Sequence, residues 1–549
     1  MIRIIQSKFI VYNLIFISSV ILLNPRYGTI DEFFISDFVN GNYTNENEFL
    51  LVFVQPIFGL IFKFFSILLG LQNVYSLIIA ELIIFSLILF EQSINEYSKV
   101  SIKIRILFYV QSIFILTTYI LQPTFTTAAV LIATISAINV SQLKFSDTKF
   151  KIIASWLLIA SAILLRQEVV FILLLVLSAT VIINLILRNK VYLANYVLGL
   201  GIIIPIAVIN QVILVFSSNT DWKTYNLWNS YRHQLHNRIS QFRLDEILIP
   251  GGWKPEEHNL FVDWAYGDPS IFNLDWIKIG YDYTSNLRGF DSIFNLDFSY
   301  FIFNLNRYEI INHWALLFIA QIVLTLYVGF KFGLFKSLAI SLLAWTPSTI
   351  IFIYSAFFLL LPQRVVLPLL LLPVMIMIGV GSKTTHLVEA PNIIWPVSIV
   401  LTILYVTFLT GINQSNILEK NANNQLLTDL KNFDKDATYL IPRCNNPYFS
   451  ENPYKFTGKN RPIKILNVGC WDTFSPHWNN RKENFGLTSL SIYDDLFKED
   501  VYWLGNFVPD TSINIENLLK NKGETNFTRE VVKELSGDYV LFQFRKTNS

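Results

Sequence analysis

Apolar residues in this chain fall into long blocks, not into the strict alternation of a strand or the single stripe of a soluble amphipathic helix. In order, the blocks cover residues 9–23, 74–90, 106–121, 126–140, 152–165, 169–187, 196–216, 314–330, 338–361, 365–379 and 393–411. Several reach about 17 to 25 residues, long enough for an α-helix to cross about 30 Å of hydrocarbon, whereas barrel strands would be shorter and alternating. The pattern predicts a polytopic α-helical membrane protein with about eleven transmembrane helices.

Basic residues orient these helices. Arg3 and Lys8, then Lys99, Lys103 and Arg105, then Lys144, Lys149 and Lys151, then Arg188 and Lys190, then Lys331 and Lys336, and finally Lys383 fall on alternate short loops. By the positive-inside rule those loops and the N-terminus are cytoplasmic. One further apolar block, residues 49–71, would break the alternation if it crossed the bilayer. Pro56 near its start and Lys63 within it suit a helix lying at the outer interface. No small-residue cleavage site follows Leu23, so the first block reads as a retained anchor.

Three long polar segments then share the outer side: 24–48, 217–313 and the tail from 413. The expected division is a transmembrane domain over 1–412, with outer loops 24–73 and 217–313, followed by an extracytoplasmic C-terminal domain over 413–549. Helical periodicity at 513–519 and alternation at 539–544 make that tail a small α/β domain. The bilayer expected is a bacterial inner (plasma) membrane, although in a eukaryote the same topology would turn the outer side to a lumen.

Composition agrees. Of 549 residues, 53% are hydrophobic and 15% charged, with a mean hydropathy of +0.46, which excludes a soluble protein of this length. A net charge of +2 suggests no nucleic-acid partner. Cys444 and Cys470 both lie in the tail, where an oxidising compartment would allow them to pair; two unpaired thiols fit the sequence equally well. Walker A, dinucleotide-binding and nucleophile-elbow motifs are absent from suitable contexts, which argues against an ATPase, a dinucleotide enzyme and an α/β hydrolase.

The candidate chemistry gathers on the outer side. Asp31, Glu32 and Asp37 follow the first span, where a carboxylate can act as general base on a substrate at the interface; helix capping and ordinary loop acidity account for the same residues. Arg166 and Glu168 sit at a junction between two spans with almost no loop around them. Arg364, between Pro362 and Pro368, marks another outer boundary, where it can grip a phosphate or simply snorkel. The large loop carries Trp253, Trp264 and Asp263 among many aromatics and acids, a composition suited to stacking on sugar rings and equally to anchoring at a bilayer surface. In the stretch YRHQLHNR, Arg232, His233, His236 and Arg238 could share a helical face that binds phosphate or anionic lipid. His233 and His236 leave a divalent cation as a minor option, but standard zinc spacings are missing and no metal or cofactor is expected.

Taken together, these features resemble the GT-C superfamily of integral membrane glycosyltransferases, which use polyprenyl-phosphate-linked sugars and include protein O-mannosyltransferases and the aminoarabinose transferases of lipid A. The resemblance rests on Asp31-Glu32 in the first outer loop, the proline-bearing interfacial segment Gln55-Pro56-Ile57-Phe58, the Arg166/Glu168 pair, Arg364 near the last spans and the outer tail. It implies an inverting hexosyl- or pentosyltransferase working at the outer membrane face, with Asp31 or else Glu32 as catalytic base. Arg364, Arg166 and Arg232 would hold the lipid phosphate, Glu168 and Asp37 would support the site, and Trp253, Trp264 and Asp263 would bind acceptor or sugar. The implied partners are a polyprenyl-phosphate-linked sugar donor, membrane lipid and a glycan, lipid or protein acceptor. An O-antigen or capsule polymerase, a lipid-linked saccharide transporter and a non-catalytic membrane scaffold whose tail binds a partner are the alternative readings.

Overall fold

The computed structural model describes residues 2–70, 73–96, 102–143, 149–188, 193–238, 253–287, 334–358, 363–381, 394–455, 461–506 and 511–547. Among them are seventeen α-helices and one five-stranded sheet. The helices that answer to the apolar blocks are α1 (Ile2–Leu22), α4 (Val74–Glu96), α5 (Ile102–Leu121), α6 (Phe125–Gln142), α7 (Lys149–Leu165), α8 (Val169–Ile186), α9 (Leu193–Ser217), α13 (Leu334–Phe358), α14 (Gln363–Gly381) and α15 (Ile394–Phe433). Only the block at 314–330 has no counterpart to report, because it lies outside the described residues. Five of the helices are individually long and apolar enough to cross a membrane, and the chain is an integral membrane protein.

The bundle is organised around α6, whose eighteen residues are all buried. Ala128, Ala129, Ala133, Ser136 and Ala137 keep its surface thin, so α4, α7, α8 and α14 can approach closely, which is how helices associate where lipid removes the hydrophobic drive. In contrast, α9 exposes Leu200, Ile204, Val208 and Val212 along its outer side. It is fastened at Gly199, where an added Cβ would fall 2.1 Å from the Trp156 ring of α7.

Between the first two long helices lie two short ones, α2 (Ile30–Asn40) and α3 (Pro56–Leu69). The interfacial helix expected over 49–71 is therefore shorter than its apolar block, and it starts at Pro56. Proline favours the first helical position and forces the preceding residue to be extended, as Gln55 is with φ −69° and ψ 146°. Residues 49–55 instead form an irregular strap that passes under α3, and Gly59 permits this: a Cβ there would meet the Phe49 carbonyl oxygen at 1.8 Å. α3 exposes Phe64, Ile67 and Leu68 on one side and buries Phe58, Phe62 and Ser66 on the other.

The junctions expected on one side of the bilayer meet at one end of the bundle. Arg26 N–H donates to the Leu121 carbonyl at 3.1 Å, Gly28 N–H to Pro123 at 3.0 Å and Gln55 N–H to Leu164 at 2.9 Å, so the segment after α1 is laced to both the α5–α6 and α7–α8 junctions. Near the other end, Lys8 pairs with Glu91.

The large loop supplies α10 (Thr220–Arg238), α11 (Pro255–Val262) and α12 (Leu274–Leu287). The tail adds β1 (Thr438–Pro442), β2 (Lys464–Val468), α16 (Pro476–Asn484), β3 (Val501–Asn506), α17 (Thr511–Asn521), β4 (Phe527–Glu534) and β5 (Tyr539–Lys546). Its sheet has the order β2-β1-β3-β5-β4, with β1 parallel to both neighbours and β5 antiparallel to both of its own. Alternation along β1 divides the two faces: Tyr439 and Ile441 join the core shared with the bundle, while Leu440 joins a second core with Trp228, Phe261 and Tyr266 of the loop. The tail is thus wedged between the bundle end and the large loop. Cys444 and Cys470 are joined in a disulfide, with Cα atoms 5.0 Å apart, linking the turns that follow β1 and β2.

Candidate active site

The acidic motif opens α2, which leaves the bundle end at Thr29 and stops at Gly41, a left-handed residue with φ 71°. Glu32 is fully buried. It accepts a hydrogen bond from Phe125 N–H at 2.8 Å, satisfying one of the orphan donors at the start of α6, and it takes the Thr29 hydroxyl as well. Asp31, one position earlier, is half-buried. Asp37, near the other end of α2, is held by Arg461 of the tail, which donates from both terminal nitrogens to its two oxygens, one of them at 2.9 Å, and reaches Glu451 at 3.0 Å.

A cavity of about 300 Å³ is linked to this helix through Phe125, and no residue of α2 lines it. Its walls are the strap Leu50–Pro56, the Arg166/Glu168 junction, the end of α9 at Leu214 and Ser218, and one face of α10 carrying Trp222, Asn226, Asn229, Ser230 and His233. The strap keeps its shape through Phe53, which adopts the left-handed φ of 71°, and through Gln55, whose side-chain carbonyl accepts from Asn210 of α9 at 2.7 Å. Arg166 bridges the two halves of the site. Its Nε lies 3.0 Å from Glu168, and its guanidinium packs against the rings of Phe53 (5.6 Å) and Phe125 (5.4 Å), the residue whose amide is bound to Glu32.

The sequence candidates are thereby sorted. Arg166 and Glu168 line the cavity; Asp31, Glu32 and Asp37 stand on α2, none of whose residues lines it, and Phe125 connects the two, its amide bound to Glu32 and its ring against Arg166. Arg232 does not line the cavity. That residue shares the neighbouring face of α10 with Tyr225 and His236, buried with its guanidinium over the Trp264 ring at 5.2 Å. His233 looks into the cavity while His236 is stacked between Phe261 (4.2 Å) and Trp264 (4.1 Å), so the two imidazoles diverge. Trp253 is buried against Trp276, ring centres 3.5 Å apart, and Asp263 pairs with Arg443, so both lie away from the cavity and tie the loop together and to the tail. Arg364 is placed in the first turn of α14, but its side chain lies outside the described residues. Among the described residues no group of three His, Cys, Asp or Glu side chains is arranged to hold a metal ion.

Other residues at the site gave no signal in the sequence. The disulfide-held turn at 470–472 reaches the site from the tail: the Trp471 ring packs on Phe34 (5.7 Å) of α2 and Phe53 (5.3 Å) of the strap, and its carbonyl accepts from Tyr225 at 2.6 Å. Asp472 accepts the Tyr43 hydroxyl and is fully buried, which pushes its carboxyl up from 3.8 to about 7. Burial also raises the Tyr225 hydroxyl, with Arg232 opposing the shift and Asp472, Tyr266 and Asp31 adding to it. His477 of α16 bonds the Leu50 carbonyl of the strap at 2.8 Å, and burial depresses its imidazole to about 4.

These two groups titrate against each other. An acid with a raised folded pKa contributes stability that is lost as pH climbs from 3.8 towards 7, whereas a histidine depressed from 6.5 to about 4 contributes stability gained as pH climbs over that range. Each is worth roughly 1.4 kcal/mol per pH unit at most. Asp472→Asn is expected to steepen the rise of melting temperature between pH 4 and 6.5, and His477→Gln to flatten it. Thermal unfolding of the purified variants at several pH values checks this, and parallel curves for both would contradict it.

No protein-family model matches the sequence, and no curated protein matches it. Solved structures do. The crystal structure of ArnT from Cupriavidus metallidurans in the apo state is similar over 98% of this chain and 97% of its own, with a TM-score of 0.50 at 10% sequence identity. This chain has the GT-C fold of ArnT. ArnT itself is an aminoarabinose transferase. The crystal structure of the same protein bound to undecaprenyl phosphate aligns over the same shares, also at 10% identity, with a TM-score of 0.44.

Proposed function

We propose that this protein is a membrane glycosyltransferase that moves a sugar from a polyprenyl-phosphate carrier to an acceptor outside the cytoplasm. The observation that carries the reading is the cavity at one end of a GT-C bundle, where Arg166 stands on one wall and packs on Phe125, whose amide is bound to Glu32 of the acidic helix. A phosphate needs a cation and hydrogen-bond donors, and the cavity offers a guanidinium, amides, hydroxyls and an imidazole. In this scheme the acceptor hydroxyl attacks the anomeric carbon on the face opposite the lipid phosphate, its proton passes to a carboxylate, and the phosphate leaves with the bonding electrons. Inversion follows from the single displacement. Asp31 is the better base, because it is half-buried at the start of α2 whereas Glu32 is fully buried and braces the start of α6. Arg166 neutralises the departing phosphate, with Arg364 as its second arm.

The proposed setting is a bacterial plasma membrane, with the N-terminus cytoplasmic and residues 413–549 outside. A disulfide in the tail suits an oxidising compartment. The proposed division at residue 412 falls within α15, which continues unbroken to Phe433 and carries the tail. Purified protein in lipid nanodiscs, supplied with a panel of radiolabelled polyprenyl-phosphate sugars and a cell-envelope extract as acceptor, should transfer label and release polyprenyl phosphate without any nucleotide. Folded protein that uses none of the panel, or that uses nucleotide sugars instead, would sink the proposal.

A further inference from the structure

Arg232 is 2% exposed, yet among the described residues no carboxylate lies within ion-pair distance of it. What it holds is an amide. Its Nε and Nη2 both donate to the Oδ1 of Asn229, at 2.9 and 2.6 Å, one helical turn back along α10. Two donors from a buried guanidinium commit that carbonyl oxygen completely and settle which way the amide faces. The Nδ2 group must then point away from Arg232. Asn229 lines the cavity, and its Nδ2 donates to no group among the described residues. The positive charge of Arg232 behind the amide also polarises it, making its N–H groups better donors towards an anion.

The geometry points to Asn229 as a phosphate-binding residue of the cavity, with Arg232 as the positioning residue that aims its amide and lends it positive potential. This inference rests on the reading that the cavity takes the phosphate of a lipid-linked sugar. It gives Arg232 a part in phosphate recognition although its guanidinium does not line the cavity, and it assigns the direct contact to a neutral side chain that spacing arguments passed over.

The deciding variant is Asn229→Asp. A carboxylate is nearly isosteric with the amide and would pair with Arg232, so folding should be preserved, but it puts an acceptor and negative charge where a donor is needed. Binding of a short-chain polyprenyl phosphate and of the matching uncharged polyprenol would be measured on the full-length protein in nanodiscs, alongside thermal unfolding. We expect Asn229→Asp to weaken the phosphate ligand about tenfold or more, with the alcohol and the melting temperature unchanged. Arg232→Lys, which keeps the charge but loses the fork, should weaken the phosphate ligand less and raise KM for the donor with little change in kcat. If Asn229→Asp binds polyprenyl phosphate as well as wild type does while Arg166→Gln does not, the site reading stands and the role of Asn229 is refuted. Equal loss of phosphate and alcohol with a lowered melting temperature would make the residue merely structural, again refuting it. If wild type does not prefer the phosphate over the alcohol, the site reading itself falls, and this inference with it.

Discussion

Asp31→Asn should abolish most turnover, by about a thousandfold, while leaving donor affinity and melting temperature close to wild type. The size follows from removing a positioned base, which contributes about 10² to 10⁴ in rate, when the amide that replaces it cannot take a proton. The selectivity follows from placement. Asp31 is half-buried at the start of α2, whereas its neighbour Glu32 is fully buried and committed to the Phe125 amide and the Thr29 hydroxyl. Glu32→Gln keeps an acceptor for Phe125 N–H and should retain much of the activity. Glu32→Ala leaves a buried donor unsatisfied and should cost about 1–3 kcal/mol of stability. Turnover and thermal unfolding measured on the three variants separate the base from the brace. Undiminished turnover in Asp31→Asn, or a Glu32→Gln as dead as Asp31→Asn is expected to be, would reverse or remove the assignment.

How much of this could be read from the sequence depends on which physical rule was speaking. The apolar blocks are legible because hydrocarbon thickness dictates their length, and the helices start or end within a few residues of the expected limits. Where chemistry overrides composition the block misleads: residues 49–55 are as apolar as those after them, but Pro56 sets the helix start and the preceding stretch becomes a cavity wall. At the far end, α15 runs 22 residues past the expected span limit at 411, because a polar helix can continue once its apolar half has left the bundle. The Arg166/Glu168 junction was legible because a charge pair in a junction that short has few places to go.

Direction on a helix was not legible. Arg232, His233 and His236 are neighbours in sequence, and α10 sends the first and last inward and the middle one to the cavity, a division that depends on which face the tail covers. The tryptophans of the loop posed the same problem. A ring suited to stacking on a sugar is equally suited to stacking on another ring, and Trp253 took Trp276. Asn210, next to Gln211 inside the apolar run of α9, proves to be the fastening of the strap at Gln55.

Least legible was Arg461, separated from Asp37 by 424 residues, and it carries the largest expected effect on stability. Its guanidinium grips both oxygens of Asp37, reaches Glu451 at 3.0 Å, and lies between the rings of Phe33 (4.5 Å) and Tyr448 (4.7 Å). The Asp37 side chain is 2% exposed and that of Arg461 12%. Removing one partner of such a pair strands a charge away from water, so Arg461→Ala should cost about 3–5 kcal/mol, far more than an exposed ion pair would. Lysine cannot reproduce the two-pronged grip, and Arg461→Lys should fall between. Adding Asp37→Asn to Arg461→Met should recover a large part of the loss, since the stranded charge is then gone and an apolar stem refills the space between the two rings. Because the same helix begins with Asp31, loosening its far end should also lower turnover in Arg461→Ala, and the double variant should regain activity together with stability. Thermal unfolding and turnover on the four proteins test both halves. A wild-type melting temperature in Arg461→Ala would mean that the tail does not brace the acidic helix, and restored stability without restored turnover would mean that the charge of Asp37 acts in the reaction directly.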